Sequence, residues 1–591
     1  MLATLMSLVA ITLPAAAPSH VGVRHDASGW RLVVDGKPFL IKGAGGDASK
    51  GLLARSGGTS FRTWGADGLD DQLDEAQRLG LKVTVGIWLG HKEHGFRYDD
   101  PNQVAGQLER VRQTVERYKR HPALLMWALG NEMEGFEQGD DPLVWKAVDE
   151  AAKAAKKLDP DHPTMTVIAE IGGRRVASFN QYCPDVDVLG INSYGGAPSL
   201  AERYRKAGGT KPYVLGEFGP PGVWELPKNA WGVAVEPTST AKAAIYRTIY
   251  AKAAEDRELC LGSYAFAWGA KQEASATWFG MFLPDGSRLG AVDALAEQWS
   301  GKAPATPCPQ IDSLTIEGDG RVEPGALVIA KLKASSPTAR PLAVEWVLQR
   351  DHLIRNVGGE AEAVPPVYPE AILEGGPTGA KVRMPTYPAA YRLFAYVRDG
   401  SGGAAVANVP LHVVGEPSPG SAEPRSLPFQ LYSSGGASLP FVPSGWMGET
   451  ASMKLDLADP HGAVEGGTCV RMELNKSEGW GGIAWQAPAN DWGDKPGGYD
   501  LTGARRLSFK ARGARGDESA SFAVGLIRRD KPFFDTAIVE LPGVHLSKSW
   551  EEHHIELKGA DLSRIKTGLV VILVAKGSPI TIFIDDVKFE K

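Results

Sequence analysis

Glu132 and Glu217 each close a short apolar run. Leu124-Leu125-Met126-Trp127-Ala128-Leu129-Gly130 runs directly into Asn131-Glu132, and Tyr213-Val214-Leu215-Gly216 runs directly into Glu217-Phe218. A carboxylate at the end of an apolar strand is costly to bury without a partner or a task. Two of them facing one cleft have the makings of glycosidic bond cleavage. One protonates the departing oxygen, and the other attacks the anomeric carbon or activates water to do so. Repulsion between them in a partly dry pocket raises one pKa and keeps that group an acid. Taken singly, each glutamate reads as a structural ion-pair residue, with Arg62 an available partner. The weight lies in their conjunction.

The elements that would position such a pair are well marked. The chain has 591 residues, too many for one core, so several domains are expected. Eight near-continuous apolar runs occur at Phe39–Ile41, Thr59–Arg62, Leu81–Ile87, Leu124–Leu129, Thr164–Ile168, Val186–Ile191, Tyr213–Leu215 and Ser263–Ala267. Unbroken apolar character predicts parallel strands covered on both faces. Helical stripes lie between them. Asp100-Pro101 and Asp141-Pro142 are N-cap and first-turn signals, and Gly80 ends the stripe formed by Leu69, Leu73, Ala76 and Leu79. Strands alternating with helices over this length predict a (β/α)8 barrel, with a doubly wound sheet as the rival. In a barrel, both glutamates fall at the C-terminal ends of strands four and seven, where catalytic groups sit.

The pattern changes after Pro304. The expectation is a multidomain chain: a (β/α)8 TIM barrel over 18–303, then two all-β sandwiches. The first, over 309–415, is of immunoglobulin-like size, and the second spans 429–591. A Pro/Ser-rich linker over 416–428 separates them. Residues 1–17 read as a signal peptide, an apolar stretch ending in Ala15-Ala16-Ala17, and this predicts a secreted or periplasmic protein. No later segment resembles a membrane span. The net charge of -6 and pI near 6.1 argue against a nucleic-acid partner.

At this level of detail the segment 30–300 resembles the barrel domain of family 2 glycoside hydrolases and their clan, clan A, which also includes family 5. The residues carrying the resemblance are Val34 to Phe39 leading into Ile41-Lys42-Gly43, His121-Pro122 through Trp127 to Asn131-Glu132, and Gly216-Glu217-Phe218-Gly219. The resemblance implies Glu132 as acid/base, Glu217 as nucleophile, retention of β configuration, and Asn131 at the sugar 2-hydroxyl. Arg62 matches the clan arginine that steadies the nucleophile. Tyr194 would donate to Glu217, and Trp268 would stack under the sugar. Two departures stand out. Family 2 barrels usually follow two β domains, whereas this barrel is expected to begin almost at the mature N-terminus. In addition, Arg62-Thr63-Trp64-Gly65 stands where family 2 enzymes usually show Arg-x-x-His-Tyr-Pro, which puts a galactosidase or glucuronidase specificity in doubt.

Other residues are candidates for the cleft wall. Trp64, Trp88 and His91 follow strands two and three, Trp224 lies beyond strand seven, and Trp278 follows strand eight. Aromatic faces stack on the C–H surfaces of sugars. His91 and His94 lack a third ligand at recognisable spacing, so no metal is expected. No cofactor is expected either: Gly43-Ala44-Gly45-Gly46-Asp47-Ala48 only loosely matches a dinucleotide fingerprint. Cys183, Cys260, Cys308 and Cys469 read as buried thiols. Trp446, Trp480, Trp485, Trp492 and Tyr499 form either a glycan-binding face or a sandwich core, and Asp585-Asp586 is a weak calcium candidate. The function expected is a retaining β-glycosidase on a β-glucan-like polymer. The alternatives are a transglycosylase on the same site, an inactive glycan-binding protein, and a nucleotide-dependent α/β enzyme.

Overall fold

In the computed structural model, residues 17–591 are described apart from 136–137, 352–364, 366, 386, 416–421, 434–438 and 461–466. The signal-peptide reading therefore lies outside the described residues, save Ala17. Three antiparallel strands come first: β1 (Val21–Asp26), β2 (Gly29–Val34) and β3 (Lys37–Phe39). The run expected to open the barrel at Phe39 is thus split. Its first part pairs back onto β2, and the first barrel strand begins at Ile41. An apolar pattern cannot mark a boundary that only the hydrogen-bond partner defines.

Eight parallel strands then close on themselves: β4 (Ile41–Gly45), β5 (Ser60–Arg62), β6 (Lys82–Ile87), β7 (Leu124–Leu129), β8 (Thr164–Ala169), β9 (Val188–Asn192), β10 (Tyr213–Phe218) and β11 (Cys260–Phe266). β7 and β10 are the fourth and seventh of the ring. The doubly wound rival is excluded by this closure. Helices α1 (Lys50–Arg55), α2 (Leu69–Leu79), α3 (Pro101–Tyr118), α4 (Pro142–Leu158), α5 (Arg175–Tyr182), α6 (Leu200–Lys206), α7 (Ser239–Glu255) and α8 (Gly290–Ser300) connect or follow them. Asp100 caps α3 by accepting from the Asn102 and Gln103 amides, and Asp141 caps α4 at Leu143. Gly80 ends α2 at φ 70, a left-handed position that suits glycine.

The apolar layer inside the ring contains Ile41, Leu125, Met165, Val188, Val214 and Leu261. It is continuous with Val21, Leu32 and Val34 of the first sheet. That sheet closes the N-terminal end of the barrel, fastened by the Val21 amide donating to Asp161 O and Ser19 Oγ donating to Leu124 O. Nearer the opposite end the interior turns polar: the Tyr264 hydroxyl meets Ser60 Oγ at 2.8 Å and Thr84 Oγ1 at 2.6 Å. The glycine run read as a weak dinucleotide signal is β4 itself. Gly43 accommodates the Tyr264 ring and Gly45 the Trp64 ring, at distances a Cβ would not tolerate.

Beyond the barrel, two packed sheets enclose a core of Val328, Leu348, Val382, Tyr391, Leu393 and Val413. One of these sheets includes Arg288–Leu289, which leaves the barrel to pair with Gly403–Ala404. A second sandwich encloses its own core, in which Trp485 and Tyr499 are buried, while Trp446, Trp480 and Trp492 stay exposed. Within the expected linker, Ala422 and Glu423 are buried, and Glu423–Pro424 pairs with Tyr499–Asp500. All four cysteines are free and buried. Among the described residues no helix is long and apolar enough to cross a membrane.

Leu32 is buried at the sealed end, away from the strand-end glutamates. Leu32→Ala should lower unfolding free energy by about 2–5 kcal/mol. Denaturant titration checks this, and chemistry at the opposite mouth should be unchanged at 25 °C.

Candidate active site

The C-terminal mouth of the barrel gathers most of the residues singled out above. Glu217 lies within the last turn of pleat of β10 and is buried. Three donors converge on its carboxylate. Trp64 Nε1 donates to Oε1 at 2.8 Å, Arg62 Nη1 donates to Oε1 at 3.3 Å, and Tyr194 OH donates to Oε2 at 2.8 Å. Burial, reinforced by the charge on Glu217, holds the Tyr194 phenol well above its usual pKa, so it remains a donor.

Arg62 ends β5 and its side chain is fully buried. Besides Glu217 it donates to Gly216 O at 2.9 Å, to Asn192 Oδ1 at 3.4 Å and, through Nη2, to Asn131 Oδ1 at 2.6 Å. Burial pulls its pKa down, while the carboxylates of Glu217 and Glu132 push it back up. It stays a cation.

Glu132 arrives differently. It stands just past β7 in a tight turn, with φ 52, a left-handed conformation unusual for a residue with a Cβ. Such a position costs on the order of 1 kcal/mol or more and persists only where surroundings enforce it. Here Gly130 shares the turn at φ 73, and the Glu132 amide is anchored on Val167 O of the neighbouring strand at 2.8 Å. Glu134, two residues on, is buried and accepts from the Ala169 amide at 2.6 Å and Arg175 Nε at 2.9 Å. The Glu132 carboxyl accepts from Asn192 Nδ2 at 2.7 Å. Its pKa is pushed up to about 8, first by burial and then by the charge on Glu217, against the opposing pull of Asn192. At neutral pH it is therefore largely protonated.

Asn192 was not singled out from the sequence, although it ends β9 and immediately precedes Ser193-Tyr194. It links everything at this site, since the same side chain touches Glu132, Asn131 and Arg62. Phe266 was also missed. It ends β11 half-buried, with its ring 5.7 Å from Trp64 and 6.2 Å from Tyr194. Lys271 Nζ stands 5.5 Å from the Phe266 centroid and 3.4 Å from Glu273.

Two expectations are corrected. Trp268 is 1% exposed, its indole donating to Ser49 O, and it packs against Phe282 and Trp299. It fills the core behind the strand ends instead of lying under a sugar, because Gly46 leaves room for its backbone to press in. Trp278 is 0% exposed and donates to Pro221 O, so it is a packing residue. Trp224, by contrast, is 64% exposed, with its ring edge-on to Tyr194 at 6.1 Å. Trp88 is 44% exposed and stacks on His91 at 4.9 Å. Burial holds the His91 pKa below its usual value, so it is a neutral imidazole. Among the described residues no cluster of three or more metal-binding side chains occurs.

Fold and site together define a class: a (β/α)8 barrel with a carboxylate pair at its C-terminal mouth, one member wrapped in donors and the other held as an acid. Comparison with known proteins shows what the barrel is similar to. Residues 73–231 match the model "Glycosyl hydrolases family 2, TIM barrel domain". The chain is 27% identical over 241 residues to a β-glucuronidase of Paenibacillus borealis, covering 34% of this chain and 38% of that protein. It is 29% identical over 197 residues to a β-glucuronidase of Sus scrofa, covering 29% and 28%. The chain thus spans under two-fifths of the length of these relatives. A β-D-glucuronidase structure from Dictyoglomus thermophilum aligns with 48% of this chain and 54% of its own, at 20% identity and a TM-score of 0.38.

The raised pKa of Glu132 has a consequence for stability. A group that ionises less readily folded than unfolded adds nothing unfavourable while both states are protonated. It then costs stability progressively as pH rises from the usual carboxylate value of 4.5 to about 8. Glu132→Gln removes that cost. The variant should melt higher than the wild type, with an advantage that grows from pH 5 to about 8 and then levels off. Calorimetry across that range measures it.

Proposed function

We propose that this protein is a retaining β-glycosidase acting by double displacement. The observation that carries the proposal is the opposite surroundings of two neighbouring carboxyl groups. Glu217 receives three donors, the environment of an anion, and Glu132 is lifted to about 8, the condition of an acid at neutral pH. Glu217 attacks the anomeric carbon while Glu132 gives its proton to the departing oxygen. Forming the ester consumes the negative charge on Glu217. With that repulsion gone the Glu132 pKa falls, and its carboxylate takes a proton from the water that breaks the ester. One pair of residues thereby serves both halves of the cycle. Asn131, held by Arg62, is the residue we assign to the sugar 2-hydroxyl. Trp224, Trp88 and His91 offer aromatic wall beyond it.

For the sugar, we propose a β-glucuronide in place of the β-glucan expected from aromatic content. The named activity of the similar proteins supports this, and so does the presence of a cation: a glucuronosyl carboxylate calls for one, and Lys271 lies beside Phe266 at the wall of the site.

Glu217→Ala and Glu132→Ala should each lower kcat by about a thousandfold or more. Proton NMR should show the β anomer as first product, and initial α product would sink the mechanism. Activity depends on protonated Glu132, so kcat/KM should fall as pH rises through about 8. Lys271→Ala should raise KM for an aryl β-glucuronide about tenfold without affecting an aryl β-glucoside. Turnover of β-glucan with no turnover of glucuronide would overturn the sugar assignment and leave the mechanism standing.

A further inference from the structure

We propose that the first sandwich is a working part of the cleft, with Asn408 and Arg392 as positioning residues for the wall that carries Trp224. The inference rests on the glycosidase reading for its kinetic consequence only.

The loop of residues 219–238 joins β10 to α7 and forms one side of the mouth. Its far end is Glu236, a buried carboxylate with four donors from three parts of the chain. Lys242 of α7 forms an ion pair with Oε1, and Thr277 Oγ1 donates to the same oxygen at 2.8 Å. Ser275 Oγ donates to Oε2 at 2.5 Å. The fourth donor crosses from the sandwich: Asn408 Nδ2 reaches Oε2 at 2.7 Å. The orientation of that amide is set from behind, because Arg392 Nη1 donates to Asn408 Oδ1 at 2.8 Å and leaves only the NH2 to face Glu236. Arg392 also reaches Ala234 O in the loop at 3.3 Å and is paired with Asp351 at 2.8 Å. All of these side chains are buried.

Such a network is satisfied as a unit or it is costly, since each buried charge depends on its neighbours. It also leads toward the reacting groups. Ser275 and Thr277 belong to the segment that carries Phe279. The Phe279 ring stands 6.2 Å from Trp224 and 5.2 Å from Tyr194, whose hydroxyl holds Glu217. Trp231, within the loop, lies 5.6 Å from His412 of the sandwich. Two mouth loops are thus clamped to each other and to a domain that contributes no group to the carboxylate pair.

Asn408→Ala in the full-length chain tests this. Hydrogen exchange should quicken about tenfold or more in residues 219–238 and 269–280, with the sandwich strands Ala389–Arg398 and Gly403–Val413 unchanged. On whichever glycoside the wild type cleaves, KM should rise about tenfold with kcat within about twofold, and adding Trp224→Ala should raise KM no further. Unchanged exchange in the two loops, equal quickening in the sandwich strands, or additive KM effects would each overturn the proposal. If Asn408→Ala does not fold, His412→Ala, outside the ion network, is read by the same three measures. If the wild type cleaves no glycoside, the exchange result still decides the clamp, and only the glycosidase reading fails.

Discussion

The mouth of the barrel depends on one buried guanidinium. Arg62 is a fixed positive charge with almost no access to water, an arrangement that costs several kcal/mol unless its neighbours compensate. They do so by spending their own lone pairs on it: the Glu217 carboxylate, the Gly216 carbonyl and the side-chain oxygens of Asn131 and Asn192. Those acceptors belong to three further strands or their ends. The cation therefore sets the spacing among four parts of the ring, and the geometry of the two carboxyl groups follows from it.

That dependence explains what could be read from the sequence and what could not. A carboxylate or arginine closing an apolar run is legible, because burying a charge demands a reason. Glu132, Glu217 and Arg62 stand out on that ground alone, and strand counting places them at one end of the barrel. Aromatic residues after strands carry no such mark. Trp64, Trp224, Trp268 and Trp278 look alike in sequence. The fold uses two of them beside the cleft and two as packing, and only the closed ring with its loops decides which are covered. Asn192 escaped notice because a neutral amide at a strand end is cheap to bury. Its importance lies in being shared by three partners, and partners are a property of the closed ring.

The ends of elements were less legible than their existence. Phe39–Ile41 forms one apolar run on paper, yet Phe39 ends the strand Lys37–Phe39 and Ile41 begins the strand Ile41–Gly45. In the fold these strands belong to different sheets, and the break falls where the hydrogen-bond partner changes. The helix starts at Pro101 and Pro142 were legible because a capping aspartate followed by proline is a local signal that needs no tertiary context.

The hairpin sheet at the base of the barrel has a further consequence. It covers the far end of a barrel whose interior is already filled with side chains, so the carboxylate pair is approached from the C-terminal mouth. On the glycosidase proposed above, a sugar, the group that departs from it and the water that finishes the reaction would share one doorway. A long acceptor in that doorway would then compete with water for the same approach. The balance between cutting a chain and splicing it onto another would then be set by traffic at the rim, and two enzymes with identical carboxylates could differ in outcome through nothing but the furniture around the door.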